Sequence, residues 1–178
     1  NGSELGDPNL RYIEDNTGGM ALYSSSVSGF QRGDEVTVSG TLKDYYGLLE
    51  MDPVNSNTTN TTGNIITPQV LTPIQISEST ESELVQINNV IFNNGGSVFT
   101  GNTVFDFMAN AELGKVYIKN GSPLIGTLIP MGTVTLIGIA SQHTYNFGCP
   151  HTLVCSASDG YQILPRDSAD IIQSGNIV

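Results

Sequence analysis

The residues best suited to metal or covalent chemistry fall late in the chain, where both of its histidines and both of its cysteines lie: His143, Cys149, His151 and Cys155. The cysteines are close in sequence, and such a pair in a secreted chain most simply forms a loop-closing disulfide. Two histidines and two cysteines would also suit Zn²⁺, although their spacing is not that of a zinc finger. We therefore expect a disulfide between Cys149 and Cys155, with a metal site or free thiols as the alternatives.

Five aromatic side chains are candidates for stacking on a ligand. Tyr45 and Tyr46 are expected at the tip of a hairpin, and His143, Tyr145 and Phe147 belong to a long loop over residues 141–159. Exposed aromatic rings offer apolar faces to sugars or bases. The alternative is that the tyrosines pack across the hairpin and serve only the fold. These five residues are the predicted ligand-binding set.

Motifs for catalysis are missing from the sequence. It contains no Gly-x-Ser-x-Gly, His-Glu-x-x-His, phosphate-binding or dinucleotide-binding pattern. Acidic clusters occur at residues 14–15, 44–52 and 78–83, but none has the Asp-x-Asp-x-Asp-Gly spacing of a calcium loop. We expect a chain that is not an enzyme and needs no cofactor, with calcium left open as a ligand that has no motif.

The charge balance restricts the partners. The chain carries 17 acidic and 6 basic residues, for a net charge of −11, and its cations are scattered. Nucleic-acid binding depends on Lys and Arg that neutralise phosphates, and an anionic membrane surface would repel this chain. No run of about 18 apolar residues predicts a membrane span. The expected partners are another protein, further copies of the chain, or a glycan.

Short strands are expected to position these residues. Only 13% of the chain is charged, against about 25% in an average domain, and small polar residues separate runs rich in Val and Ile. Alternation of apolar and polar residues predicts strands over 35–42, 83–92, 103–108 and 133–140. Single helical turns are expected at 71–76, 110–113 and 168–173, and the polar run 55–64 is expected to form an exposed loop.

An internal repeat organises these strands. Three segments recur in order, with residues 12–15 matching 117–120, residues 36–40 matching 134–138, and residues 71–73 resembling 164–165. The repeat divides the chain into two modules, 1–77 and 78–178. Five strands in about 100 residues suit an OB-type Greek-key barrel. The predicted fold is therefore all-β, with two tandem OB-like barrels.

The first of these barrels is expected to lack its opening strand, because the first module has no counterpart of residues 83–113. Proteins avoid leaving such a sheet edge unpaired. Either the chain continues ahead of Asn1, or another chain supplies a strand by β-augmentation. A misaligned repeat is the third alternative.

Three segments carry a resemblance to a known family: residues 12–23 (YIEDNTGGMALY), 33–42 (GDEVTVSGTL) and 161–171 (YQILPRDSADI). They resemble the patterns Y-I-Q-D-x-T-G-G-I-x-V-Y, G-D-x-V-x-V-x-G and Y-Q-I-x-P-R-x-x-x-D-I. These patterns mark OB-like modules of secreted and cell-surface Bacteroidota proteins, some of them appended to extracellular nucleases. The resemblance implies an accessory module outside the cell.

Together these features predict a non-catalytic extracellular interaction or structural module, belonging to a larger assembly or filament. A carbohydrate-binding accessory module and the accessory domain of an extracellular nuclease are the alternatives. Candidate glycosylation sites are Asn57 and Asn60, which begin Asn-x-Thr sequons. Ser168 is a third candidate, in an Asp-Ser-Ala tripeptide that resembles the O-glycosylation site of such bacteria.

Overall fold

The computed structural model describes residues 5–144 and 160–173, and this part of the chain is all-β, as the sequence predicts. It contains eleven strands in two sheets and four single 3-10 turns, with no α-helix among the described residues. The first sheet holds β1 (Leu10–Asp15), β2 (Gly18–Tyr23), β3 (Glu35–Tyr45) and β4 (Leu48–Thr61).

The second sheet holds the remaining seven strands. They are β5 (Gln69–Leu71), β6 (Leu84–Phe92), β7 (Thr103–Ala109), β8 (Glu112–Ile118), β9 (Val134–Gln142), β10 (Tyr161–Leu164) and β11 (Ile171–Gln173). The 3-10 turns are Ser25–Val27, Pro73–Gln75, Glu78–Thr80 and Ser168–Asp170. The strands predicted at 35–42, 83–92, 103–108 and 133–140 are thereby confirmed as β3, β6, β7 and β9.

Five strands of the second sheet close into a barrel. The ring runs β6-β7-β8-β10-β9 and returns to β6, because β9 pairs with β6 as well as with β10. All of these pairs are antiparallel except β8 with β10, which is parallel. Closure leaves no free edge within the ring, and β5 and β11 add to it at β6 and β9.

Alternation along the strands fills the barrel. In β7 the inward side chains Phe105, Phe107 and Ala109 are buried, whereas Val104 and Met108 on the other face are exposed. Phe92, Phe99, Phe105 and Phe107 meet edge to face, with ring centroids 5.2–6.2 Å apart. Such pairs contribute about 0.5–1.5 kcal/mol each beyond the burial of their apolar area.

The first sheet is smaller and open. Its order is β1-β2-β4-β3, so β1 and β3 are its two edges. β1 pairs antiparallel with β2, β2 parallel with β4, and β4 antiparallel with β3. A core of Leu22, Val27, Met51 and Val54 lies on its inner face.

Two local predictions are wrong. The run 55–64 is not a loop as a whole, since residues 55–61 continue β4 and pair with β3. Its polar side chains bond across the strands instead of packing apolar surface, as Ser39 does with Ser56 at 2.7 Å. Residues 110–113 form no helical turn, because Asn110 and Ala111 adopt left-handed backbone (φ 52° and 67°) and turn β7 into β8. Two such residues in sequence are typical of a type I′ hairpin.

Other turns follow the sequence in part. The turn expected at 71–76 is present at Pro73–Gln75. The turn expected at 168–173 covers only Ser168–Asp170, after which the chain extends into β11.

The predicted match of residues 12–15 with 117–120 joins strands in different positions. β1 is the first strand of its hairpin, whereas β8 is the second strand of its hairpin.

Candidate functional site

Three of the five predicted ligand-binding residues meet in one cluster, which we call the aromatic cluster: Tyr45, Tyr46 and His143. The ring centroids of Tyr45 and Tyr46 are 4.9 Å apart with the rings perpendicular. The His143 ring lies 4.8 Å from Tyr46 and 6.3 Å from Tyr45. Tyr45 and Tyr46 are 45% and 38% exposed, so both rings remain accessible to a ligand.

The hairpin that carries the tyrosines is fixed at its tip. Asp44 Oδ1 accepts a hydrogen bond from the Gly47 backbone N–H at 3.1 Å, which closes the turn. Tyr46 and Gly47 both have left-handed backbone, with φ of 56° and 96°. The Tyr46 carbonyl accepts from the Thr144 N–H at 2.8 Å, which ties the tip to the end of β9. The sequence therefore predicts the tip correctly but not its anchor on the second sheet.

Partial burial disfavours a positive charge on the histidine of the aromatic cluster. Partial burial lowers the pKa of His143 below its usual value, because the imidazolium loses hydration. A neutral imidazole beside two phenol rings is a surface for stacking and hydrogen bonding, with little attraction for anions.

The rest of the predicted loop site lies outside the described residues. This holds for Tyr145, Phe147, His151 and the cysteines Cys149 and Cys155. Their disulfide, their alternative metal site and their part in ligand binding stay predictions.

A cleft, which we call the strand cleft, opens between β1 and β3 and has a volume of about 1060 Å³. Its walls include residues 10–15 of β1 and 35–37 of β3, the two edges of the first sheet, with which no other described strand pairs on the side of the cleft. Ile13, Met20 and Val36 line it and are only half-buried, and Met51 lies at its floor. The sequence predicts a missing strand in this module, but not the cleft.

A buried polar junction connects the two sheets. Glu81 and Ser82 are 7% and 1% exposed, and Glu81 Oε1 accepts from the Leu49 N–H of β4 at 3.0 Å. Glu81 Oε2 and Ser82 Oγ are buried and have no hydrogen-bond partner within the described part of the chain. Gly19 fits here because a Cβ would lie 2.5 Å from the Ser82 carbonyl carbon.

Burial also controls the protonation of this junction. It raises the pKa of Glu81 to about 7, and it raises the pKa of Glu50 and of Tyr12 as well. Ionisation costs more where water cannot solvate the charge. The sequence singles out the acidic cluster at 78–83 but contains no signal that Glu81 is its buried member.

The candidate glycosylation sites differ in setting. Ser168 is exposed in its 3-10 turn, next to Asp167, which caps the turn by accepting from the Ala169 N–H. Asn60 is exposed on β4 and Asn57 is half-buried there. Asn60 Nδ2 donates to Thr37 Oγ1 at 3.0 Å, so its side chain takes part in the ladder with β3.

Comparisons of the chain with protein-family models and with curated proteins found no match. Within residues 5–144 and 160–173, no group of three or more His, Cys, Asp or Glu side chains is placed to hold a metal ion. The described residues also include no helix long and apolar enough to cross a membrane. The aromatic cluster and the strand cleft are therefore the two candidate sites.

Proposed function

We propose that the chain is a non-catalytic extracellular interaction or structural module made of two OB-like barrels. In this proposal the first barrel is completed by a β-strand that is not among the described strands of the same chain. The strand cleft is the observation that carries the proposal. The secreted or cell-surface setting rests on the resemblance to OB-like modules of Bacteroidota.

The order of strands supports two equivalent barrels. In the closed barrel, β7 pairs antiparallel with β8, β8 parallel with β10, and β10 antiparallel with β9. The strand β6 then pairs with both β7 and β9 and closes the ring. The strands β1-β2-β4-β3 show the same sequence of directions in the first sheet. The position that β6 fills in the second barrel is therefore the gap between β1 and β3 in the first. In this comparison β1 corresponds to β7, and β3 corresponds to β9. The second correspondence agrees with the predicted match of residues 36–40 with 134–138.

The chemistry of the strand cleft fits an added strand. Each edge presents backbone N–H and C=O groups that no other described strand pairs with. The half-buried Ile13, Met20 and Val36 would gain burial under inward side chains of that strand, at about 25 cal/mol per Å². An extended strand antiparallel to both β1 and β3 would meet both needs at once, as in strand complementation.

In the closed barrel the corresponding position is filled by β6 (Leu84–Phe92). A peptide with the sequence of β6 can therefore serve as the added strand in a binding test. We expect a synthetic peptide with the sequence of residues 84–92 to bind and to raise the thermal midpoint. The gain in stability is about 1.4 kcal/mol at ten times Kd, since only the folded state binds. Isothermal calorimetry and thermal unfolding measure both effects.

Two matched controls sharpen this test. A peptide with proline at the positions of Gln86 and Asn88 cannot pair on both edges and should not bind. The variant Ile13→Ser should weaken binding, whereas Ile172→Ser, at an exposed position of β11 that does not line the cleft, should leave it unchanged. Equal binding of the proline peptide, or no binding of either peptide, would contradict strand addition.

Self-assembly is the form of this function in which copies of the chain complete each other. A head-to-tail contact of that kind builds filaments when its rotation does not close. Sedimentation velocity should then show oligomers that grow with concentration and dissociate when the 84–92 peptide is added. A monomer at every concentration would restrict the donor to another polypeptide segment.

A further inference from the structure

We infer that the aromatic cluster is a binding site for a neutral carbohydrate ring, with Tyr45 as the main stacking surface and Tyr46 and His143 beside it. This inference goes beyond the interaction function proposed above and depends on a different part of the molecule. It concerns the tip of the β3–β4 hairpin and the end of β9.

Exposure singles out this cluster. Among the large hydrophobic side chains that the structure describes as exposed, three are aromatic: Tyr23, Tyr45 and Tyr46. Two of these three are adjacent and contact a third ring, that of His143. Tyr23 lies at the end of β2 and makes no such ring contact within the described residues. A scattered exposed ring is ordinary, whereas a contiguous group of rings indicates a binding surface.

The rings are held in place before any ligand arrives. The Asp44 bond to the Gly47 N–H and the Thr144 bond to the Tyr46 carbonyl fix the hairpin tip at two points. Gly47 packs against the Gln142 side chain, where a Cβ would come within 2.7 Å of Oε1. A rigid tip loses little entropy on binding, which favours affinity.

Tyr46 lies in the hairpin turn between β3 and β4. Tyr46 and Gly47 both have left-handed backbone, with φ of 56° and 96°, as in a type I′ hairpin turn. The Tyr46 ring lies 4.8 Å from the His143 ring.

The ligand class follows from charge and surface chemistry. A sugar ring presents C–H groups to the face of a phenol and hydroxyls to its edge, so tyrosine meets both with one side chain. No Lys or Arg belongs to the aromatic cluster, and the chain has a net charge of −11. Phosphate-bearing or otherwise anionic ligands are therefore disfavoured, and a neutral glycan is the class that fits.

The test uses the full chain and tetrasaccharides of β-1,4-linked glucose, mannose and N-acetylglucosamine as probes. Saturation-transfer NMR should show contact from aromatic protons to sugar C–H protons for at least one probe. Tyr45→Ala should weaken that binding by about tenfold, because the main stacking surface is lost.

Three further variants make the result decisive. Tyr23→Ala removes an equally exposed tyrosine elsewhere and should leave binding unchanged. Tyr46→Phe retains the ring and should bind with at most a small loss. His143→Ala should weaken binding without altering the response to the 84–92 peptide, which separates this site from strand addition.

Absence of contact with all three tetrasaccharides would overturn the inference. So would binding that Tyr45→Ala leaves intact, or that Tyr23→Ala reduces equally. Circular dichroism and the thermal midpoint of each variant show that it is folded, so loss of binding is not confused with loss of structure.

Discussion

At the scale of one residue, Glu81 makes the stability of the fold depend on pH. One of its carboxylate oxygens accepts a backbone hydrogen bond across the two sheets, and the other is buried beside Ser82 with no partner among the described residues. A buried polar atom without a partner costs about 1–3 kcal/mol, and more when it is charged. The protonated carboxyl therefore suits this position better than the carboxylate.

The pH dependence has a definite sign. The pKa of Glu81 in the folded chain is about 7, against an ordinary value of 4.5. The folded state thus holds the proton more tightly, and stability rises as the pH falls from about 7 to about 4.5. Glu81→Gln keeps an acceptor for Leu49 and should remove most of this pH dependence, which is about 3 kcal/mol for a pKa difference of about 2.5 at about 1.4 kcal/mol per pKa unit.

Urea unfolding at several pH values measures this difference. Glu50 and Glu83 also have raised pKa values, so the comparison is between the variant and the parent chain. The exposed Glu35 provides the control, because Glu35→Gln should leave the slope unchanged. A variant whose stability follows pH as steeply as the parent would place the titration elsewhere.

At the scale of elements, the charged residues of segment 161–171 contact one another and hold the chain between β10 and β11. Arg166 donates from its backbone N–H, Nε and a terminal guanidinium nitrogen to the Asp170 carboxylate, at 2.7–2.8 Å. Asp167 caps the 3-10 turn between them and pairs at 2.7 Å with Arg32, which lies in the turn before β3. The segment therefore fixes the route from β10 to β11 and contacts the turn before β3.

Breaking this pair should be costly. Asp170 is 2% exposed and its carboxylate accepts the Arg166 backbone N–H as well as two guanidinium N–H groups, so Asp170→Asn weakens three charge-assisted hydrogen bonds at a buried position. We expect a loss of about 1.5–3 kcal/mol in the free energy of unfolding. Asp106→Asn breaks the exposed pair with Lys115 and should cost less than about 1 kcal/mol. Similar losses for both variants in urea unfolding would show that burial does not govern the Arg166 pair.

The sequence predicts elements well where apolar alternation is strong, as in β3, β7 and β9. It fails where the strand is polar, because the Ser, Thr and Asn of residues 55–61 have the composition of a loop yet form a backbone ladder with β3, to which a few side-chain hydrogen bonds add. It places Tyr45 and Tyr46 at a hairpin tip, since Asp44 and Gly47 are turn residues. It does not bring them to His143, because that contact depends on how the two sheets pack.

At the scale of the whole molecule, the two sheets differ in completeness. The second sheet contains a closed ring, whereas the first has two edges and a cleft between them. Contacts such as Glu81 with Leu49 and Arg32 with Asp167 join them. We therefore expect the open sheet to be held in shape by its neighbour while its strand position remains available.

Residue-resolved amide hydrogen exchange tests this claim most directly. Without peptide, the backbone amides of β1 and β3 that face the strand cleft should exchange rapidly. Those of β6 and β9 should exchange slowly. Adding the 84–92 peptide should slow exchange at both β1 and β3 and leave β7 and β9 unchanged. Protection of both edges in the monomer without peptide, or no change on its addition, would contradict an open strand position between them.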